Sequence, residues 1–376
     1  MNFQYNLPVN LIFGRGNVNM VGEIVAQYGK KVLLVTGTGS TKKSGLLDRV
    51  LGLLNDAEVE SVVYDRVTQN PLTTTAMDGA HLAQINGCDV VLGVGGGSIM
   101  DCAKAIAFLT VNDGDINDYI FNRKVSNVAL PIVLVPTTCG TGSEGNGFAV
   151  LTNPENGDKK SLRCNAIVAK ASIIDSTVME TMPKHILASV GFDAFCHCLE
   201  AYISKISQPM SDMMAVCGMN LVGESLVALY KGTSDPELWD KLSFASTLGG
   251  MVIHTAGVTV SHGMEHPASG LRNIVHGKGL AALTPAIMKK TVDAIPEKAA
   301  VISKSIGGKD ASDCVQAIET LLADLDLTVT LGELGLQPSD VPWMVENFFK
   351  VSAAGLANHP VTFTAEEITQ LFEQSI

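Results

Sequence analysis

The sequence predicts an α/β domain built on a doubly wound parallel sheet, followed by an all-helical domain. In the first half, short β-branched runs alternate with stretches that have helical spacing. After about residue 180 the strand-like runs almost vanish, and Ala/Leu/Met-rich helical stretches continue from Pro183 to the end. Strands separated by helices pair in parallel through right-handed crossovers. We therefore predict an α/β domain over residues 1–180 and a helical domain over residues 181–376.

The predicted elements follow from local patterns in chain order. Buried strands are expected at residues 31–37, 61–65, 89–94 and 131–136, and helices between them at 44–55 and 73–86. Thr364 with Glu367 is typical of a capping box, which predicts a last helix over residues 365–374. A cleft between the two domains is the expected place for a ligand, because open parallel sheets bind at the carboxyl ends of their strands.

The composition excludes several classes of protein. With 46% hydrophobic and 17% charged residues, the chain is an ordinary globular protein rather than a disordered one. Its net charge of −12, with no basic stripe, argues against a nucleic-acid partner. The eight cysteines form no Cys-x-x-Cys pair, so we expect reduced thiols. We also find neither a signal peptide nor eighteen uninterrupted apolar residues, which predicts a cytoplasmic protein without a membrane partner.

Three glycine- or hydroxyl-rich loops follow predicted strands. Gly95, Gly96, Gly97 and Ser98 come after the third strand and open a helix that contains Asp101. Glycines let backbone N–H groups approach a pyrophosphate, and the helix N-terminus adds a favourable dipole. The third loop, after the fourth strand, contains Thr137 and Thr138. Because three such loops lie at successive strand ends, the sequence predicts a nucleotide site.

The loop after the first strand bears on which nucleotide binds. Gly37, Gly39 and Ser40 begin like the dinucleotide fingerprint, but Lys42 stands where its third glycine should be. Asp65 lies at the end of the second predicted strand. The alternative is that its carboxylate contacts the adenosine ribose, as in an ordinary dinucleotide site.

Histidines and one aspartate recur at helical spacing in the second half. Asp193 and His197 are i and i+4, as are His262 and His266, and His276 follows. Glu200 lies near the first pair and could orient a ligand. We expect Pro267 and Gly270 to break the second helix. A carboxylate with imidazoles suits a divalent first-row metal, but spacing alone leaves open which three histidines bind it.

Taken together, these motifs resemble the iron-containing alcohol dehydrogenase family. The resemblance rests on Gly95-Gly-Gly-Ser-x-x-Asp101-x-x-Lys104, Pro136-Thr-Thr-x-Gly-Thr-Gly-Ser-Glu144, Gly191-x-Asp193-Ala-x-x-His197, His262-x3-His266-x9-His276-Gly277 and Phe13-Gly14-x-Gly16. It implies a Rossmann-like domain followed by a helical domain, the dehydroquinate synthase-like fold. Cys139 stands where alanine is common in the family.

The resemblance also implies roles for individual residues. It implies metal ligation by Asp193, His197, His262 and His276, with His266 left unligated near the nicotinamide as the catalytic acid–base group. Lys159 is similar to the family's lysine near the cofactor. The full set of predicted cofactor contacts is Gly37, Gly39, Ser40, Asn70, Gly95, Gly96, Gly97, Ser98, Asp101, Thr137, Thr138 and Lys159.

The implied activity is metal-dependent hydride transfer between small alcohols or aldehydes and a nicotinamide cofactor. Fe(II) is the expected metal, with Zn(II) or Ni(II) as competitors. The loop from Gly37 to Lys43 looks closest to the NADP(H)-using butanol dehydrogenase branch, so NADP(H) is favoured over NAD(H). A homodimer is expected. The alternatives are a glycerol or other polyol dehydrogenase of the same superfamily, or a non-catalytic nucleotide-binding protein.

Overall fold

A six-stranded parallel sheet forms the first half of the chain in this computed structural model, which describes residues 2–376. Its strands lie in the order β1-β8-β5-β4-β2-β3. A separate antiparallel hairpin is formed by β6 and β7. The strands are β1 (Asn10–Phe13), β2 (Lys31–Gly37), β3 (Glu60–Val67), β4 (Val90–Gly95), β5 (Ile132–Pro136), β6 (Phe148–Thr152), β7 (Lys159–Arg163) and β8 (Ala171–Ile174).

Helices cover both faces of this sheet. Successive side chains of a strand point to opposite faces, so Leu33 and Val35 join one apolar cluster while Val32 and Leu34 join another. The helices of this half are α1 (Val21–Ala26), α2 (Ser40–Lys43), α3 (Leu46–Asp56), α4 (Thr73–Asn86), α5 (Gly97–Leu109) and α6 (Ile116–Ile120). The sheet is therefore buried on both sides, as a parallel sheet requires.

The second half is helical. Its α-helices are α7 (Lys184–Ile203), α8 (Pro209–Tyr230), α9 (Pro236–Ala256), α10 (Val260–Arg272), α11 (His276–Lys289), α12 (Pro296–Ser305), α13 (Cys314–Asp324), α14 (Val341–Val351), α15 (Ala353–Asn358) and α16 (Ala365–Ser375). A large apolar cluster that includes Phe192 and Phe195 of α7 joins the first helices of this half. The capping box of Thr364 and Glu367 opens α16 as predicted.

Two of these helices have the length and hydropathy of a membrane span. They are α7 and α8, with mean hydropathies of 1.3 and 1.4. The apolar window of α7 is 83% buried inside the fold, and the helix carries Asp193, His197 and Glu200. Such a helix is accounted for by its place in the protein core.

The predicted fold class is confirmed, as are the four predicted strands and both helices between them. The prediction that Pro267 and Gly270 break the second histidine helix is wrong, because α10 continues to Arg272 and ends where Asn273 takes a left-handed conformation (φ 50°). Proline removes one backbone donor, but Met264 and Ala268 on the same helix are fully buried, and this packing keeps the helix intact. The domain boundary at residue 180 stays a prediction.

Candidate metal and cofactor site

Four side chains from three helices meet around one carboxylate oxygen. The Nε2 atoms of His262, His276 and His197 lie 3.4, 3.6 and 3.7 Å from Oδ1 of Asp193. Asp193 and His197 share one face of α7, whereas His262 comes from α10 and His276 is the first residue of α11. Ligand atoms of Asp193, His262 and His276 all lie within 4.8 Å of one another, and Nε2 of His197 approaches the same carboxylate oxygen as a fourth candidate.

The other ring nitrogen of each histidine has a protein oxygen beside it, although the contact of His276 with Glu265 is a close ion pair without hydrogen-bond geometry. Nδ1 of His262 lies 2.5 Å from Glu200, and Nδ1 of His276 lies 2.5 Å from Glu265. Nδ1 of His197 lies 3.4 Å from the carbonyl oxygen of Gly140. A histidine ligand to a metal commonly donates its second N–H to a carboxylate or carbonyl, which fixes the ring orientation.

This arrangement fits a divalent metal ion. Oδ1 of Asp193 and Nε2 of His262 are buried and have no hydrogen-bond partner within residues 2–376. Buried polar atoms without protein partners are costly, so their convergence indicates a cation-binding site. Two ligand atoms that are each about 2.1 Å from one tetrahedral ion lie about 3.4 Å apart, which agrees with the distances around Asp193.

Electrostatics favour the protonation states that a metal requires at Asp193 and His197. At His262 burial lowers the pKa, but Glu200 and Asp193 outweigh this effect and raise the pKa to about 10, so an entering ion must displace a proton from that ring. Burial raises the pKa of Asp193, but the neighbouring imidazoles outweigh this effect and hold the pKa below its ordinary value. Burial lowers the pKa of His197 to about 4, despite the nearby Asp193. The aspartate is therefore ionised and His197 is neutral near pH 7, as metal ligands must be.

His266 lies beside this cluster. Its ring centroid is 6.1 Å from that of His276 and 6.5 Å from that of His262, nearly perpendicular to the latter. It lines a cavity that also contains His197, His262 and His276. Burial, reinforced by Lys159, keeps the pKa of His266 well below its ordinary value, so the ring is neutral near pH 7.

A large cleft of about 560 Å³ lies at the carboxyl ends of the strands and reaches the metal residues. Asp193 and His276 stand at one end of it. Its lining includes nine of the predicted cofactor residues, namely Gly37, Gly39, Ser40, Asn70, Gly96, Gly97, Ser98, Thr137 and Thr138. This is the position in which open parallel sheets bind nucleotides.

Three predicted cofactor residues lie elsewhere. Asp101 and Lys159 line the adjoining cavity with the metal-site histidines. Gly95 lines neither space, since it ends β4 against Ile99. A Cβ on Gly95 would lie 2.8 Å from Ile99, so packing accounts for this glycine.

Buried lysines organise the cleft. Lys104 is fully buried and donates to Ser143 Oγ (2.7 Å) and to the Phe148 carbonyl (2.8 Å), which joins the end of the third loop to the start of β6. Lys159 donates to Asn70 Oδ1 (3.0 Å) and to Glu265 (3.3 Å).

Lys42 follows the loop of Gly37 and Ser40 in the chain. Lys42 forms an ion pair with Asp65, the residue that we kept as an alternative ribose contact. The pair places both charges beside the loop of Gly37 and Ser40, where each reduces the field of the other.

Sequence reasoning missed two residues of this region. Glu265 lies three positions after His262, so a carboxylate on that turn was a visible signal. Arg163 ends β7 and lines the cavity of the metal-site histidines. No sequence pattern pointed to Arg163, because β7 itself was not predicted.

Two family models match the chain. The model described as iron-containing alcohol dehydrogenase covers residues 8–176, and its C-terminal family model covers residues 187–376. The chain is 33% identical to a 1,3-propanediol dehydrogenase of Citrobacter freundii, over 99% of this chain and 98% of that protein.

Solved structures of the same kind superimpose closely. An archaeal halo-thermophilic alcohol dehydrogenase from a Red Sea brine pool has a TM-score of 0.95 and 32% identity, covering 100% of this chain and 99% of that one. An NADH-dependent butanol dehydrogenase from Thermotoga maritima has a TM-score of 0.90 and 30% identity, covering 100% and 98%.

Proposed function

The chain belongs to the iron-containing alcohol dehydrogenase family, and from this premise we propose that it interconverts small primary alcohols and aldehydes with NADP(H). The observation that carries the proposal is the convergence of three Nε2 atoms on Asp193 in a cavity adjoining the nucleotide cleft. Two relatives are named as propanediol and butanol dehydrogenases. Their names support a substrate whose reacting end is short and uncharged or weakly polar.

Different residues would bind the metal, orient its ligands and transfer the proton. Asp193, His197, His262 and His276 would hold one divalent ion, and Glu200 and Glu265 orient two of these rings. When bound, the ion supplies a Lewis acid at the substrate oxygen, and the nicotinamide accepts or gives the hydride. His266 would pass the proton between the substrate oxygen and solvent, for which a neutral ring is the correct starting state during alcohol oxidation.

The proposed metal is Fe(II), with Zn(II) or Ni(II) able to compete. The proposed ligands are nitrogen and oxygen only, and zinc exceeds iron in raw affinity for such sites. Aerobic purification should therefore give protein loaded partly with zinc. Four ligands around one point correspond to one ion per chain.

We propose NADP(H) as the preferred cofactor because the loop after β2 carries no acid. NAD-selective sites place a carboxylate against the adenosine ribose, where it repels a 2′-phosphate. Gly37, Gly39 and Ser40 leave that place open, and the charge of the nearby Asp65 is offset by Lys42. The Thermotoga relative is named as NADH-dependent, so cofactor choice must be measured for this chain.

A polyol dehydrogenase is the nearest alternative. A glycerol dehydrogenase of the same superfamily would be expected to bind zinc through one aspartate and two histidines, and the three histidines around Asp193 argue against this alternative. A non-catalytic nucleotide-binding protein would not require three imidazole rings oriented around Asp193. The homodimer and the cytoplasmic location stay predictions.

The decisive experiment is NADPH oxidation with butyraldehyde after anaerobic loading with Fe(II). We expect turnover that depends on the metal and is abolished by chelation. Glycerol with NAD⁺ and Zn(II) is the matched assay for the polyol alternative. No metal in the purified protein, and no activation by any divalent ion, would overturn the proposal.

A further inference from the structure

A second cavity continues the one that contains the metal-site histidines. Ser161, Arg163, Val258 and His266 line both spaces, whose volumes are about 120 and 180 Å³. A substrate whose reacting carbon lies beside the metal residues would extend past His266 into the second cavity. The residues there consequently meet the far end of the substrate.

Arg163 reaches this space from β7. Alternate residues of a strand share a face, and Lys159, Ser161 and Arg163 all line the first cavity. The Arg163 guanidinium lies 4.6 Å from the ring centroid of Phe148, yet the side chain keeps access to solvent. The exposed guanidinium forms no ion pair with a carboxylate of residues 2–376, and desolvation by the surrounding protein lowers its pKa. The guanidinium therefore faces the cavity without a counter-ion.

Lys160 adds a second positive charge to the same space. It lines the second cavity with Arg163, and its Nζ donates to the carbonyl of Val351 at 2.8 Å. Burial lowers the pKa of Lys160, and Arg163 lowers it further, with Asp158 opposing in part. Two like charges held close together destabilise each other unless an anion lies between them.

A hydroxyl without a partner completes the lining. Ser352 is 7% exposed, and within residues 2–376 its buried Oγ has no hydrogen-bond partner. It lines the second cavity beside Arg163 and Lys160. A buried hydroxyl that is left unpaired points to a ligand atom that the protein does not itself supply.

Asp101, the acidic residue that lines the first cavity, does not neutralise the charges of Arg163 and Lys160. The carboxylate of Asp101 accepts from Ser143 Oγ at 2.6 Å and from the Val150 amide at 2.9 Å. Burial raises the pKa of Asp101, and Lys104 and Lys159 are the positive charges that oppose this rise.

We propose that the physiological substrate is a short aldehyde or alcohol that carries an oxyanion, such as a carboxylate, sulfonate or phosphonate, at the end away from the reacting carbon. Arg163 binds the oxyanion by charge-assisted hydrogen bonds, with Lys160 and Ser352 as further donors. The anion is a handle only: in reduction, one hydride and one proton add to the carbonyl, and no bond to the anionic group changes. This inference rests on the proposed function and names its substrate class.

The test compares pairs of aldehydes with matched shapes. Succinic semialdehyde is paired with 4-methylpentanal, and sulfoacetaldehyde and phosphonoacetaldehyde are each paired with 3,3-dimethylbutanal. We expect at least one anionic member to exceed its neutral partner in kcat/KM by about tenfold or more, since charge-assisted hydrogen bonds exceed neutral ones in strength. The pair with the largest ratio identifies the anionic group. Ratios of one or less in all pairs would overturn the inference.

Substitutions locate the effect. Arg163→Gln should reduce the anionic-to-neutral ratio at least tenfold, and Arg163→Lys should restore part of it. Arg49→Gln is the matched control, because Arg49 is an exposed arginine bonded to Asn19 at a distant site. If Arg163→Gln lowers both members of a pair equally, Arg163 is structural and the assignment fails.

A binding measurement separates this inference from the proposed activity. Propanesulfonate is titrated calorimetrically into the purified protein and into Arg163→Gln. Binding that weakens at least tenfold in the variant supports the anion pocket, even if no aldehyde is reduced and the proposed function fails. The absence of binding to the wild type, together with equal rates for charged and neutral aldehydes, rejects the pocket while leaving the dehydrogenase activity intact.

Discussion

Glu265 holds Nδ1 of His276 at 2.5 Å, and its carboxylate also lies 3.3 Å from Nζ of Lys159. His276 belongs to the proposed metal cluster, whereas Lys159 lines the adjoining cavity and donates to Asn70, which borders the nucleotide cleft. One fully buried carboxylate consequently contacts the machinery of both sites.

Replacing this carboxylate by its amide should loosen the metal. We expect Glu265→Gln to reduce metal affinity by about 10- to 100-fold, the usual effect of removing a partner that orients a ligand. Competition with a chelator measures the affinity directly. Glu366→Gln, which removes an exposed carboxylate from α16, is the control. Equal metal affinity in wild type and Glu265→Gln would show that the contact does not support His276.

Ligation and proton transfer should separate at the two histidines of α10. His266→Ala should keep the metal and lose about 10²-fold in rate, the scale of a general acid–base group. His262→Ala should empty the site, because Nε2 of His262 lies 3.4 Å from Asp193. Metal content of each purified variant decides the matter. An empty site in His266→Ala with a full one in His262→Ala would reverse the two roles.

Cofactor preference should depend on Gly37. We expect the wild type to prefer NADPH over NADH by at least about tenfold in kcat/KM, or about 1.4 kcal/mol. Gly37→Asp should erase or invert this preference, because the new carboxylate would repel a 2′-phosphate. The side chain has room, since a Cβ at Gly37 meets its nearest neighbour, Ile99, at an ordinary 3.5 Å. Gly52→Asp adds the same charge at an open helix surface and should change nothing. A wild type that already favours NADH would make Asp65 the better ribose contact.

Acid should destabilise the fold through His359. This residue is fully buried, its Nε2 lies 3.0 Å from Thr291 Oγ1, and burial lowers its pKa to about 4. The unfolded chain binds this proton with a pKa near 6.5, so stability is full above that pH and falls as pH decreases towards 4. The largest loss is about 3 kcal/mol.

The measurement is the fall in Tm between pH 7.5 and pH 5. His359→Gln should show a smaller fall than the wild type. His81→Gln, at an exposed histidine, should behave like the wild type. If Tm fell equally in all three proteins, His359 would not contribute to the acid sensitivity of the fold.

The sequence was informative where periodicity and special residues coincide. Long β-branched runs predicted β2 to β5, and helical spacing predicted that Asp193 and His197 share a face, as they do in α7. Four short strands were missed. β1 and β8 have four residues each and are strands because they pair with each other, with Asn10 opposite Ala171. Such pairing joins residues about 160 positions apart, which local patterns do not encode.

The same limit explains what was missed at the site. Arg163 and Ser352 belong to β7 and the turn before α15, and only the fold brings them to the cavities around His266, whereas Glu265 had a local signal in its spacing from His262. At Pro267 the local sequence pattern was misleading rather than silent. A local rule predicted a helix break, and burial of the neighbouring turns overrode it.

The three clamped Nδ1 atoms have a thermodynamic consequence. Because Glu200, Glu265 and the Gly140 carbonyl fix the imidazole rings, most of their rotational freedom is lost when the chain folds, before any ion arrives. Ion capture then orders little further, so its entropy should be favourable and dominated by released water. The rigid frame also fixes the geometry that an entering ion must accept. Discrimination among iron, zinc and nickel would in that case arise from the strain each ion meets in a shape set by folding.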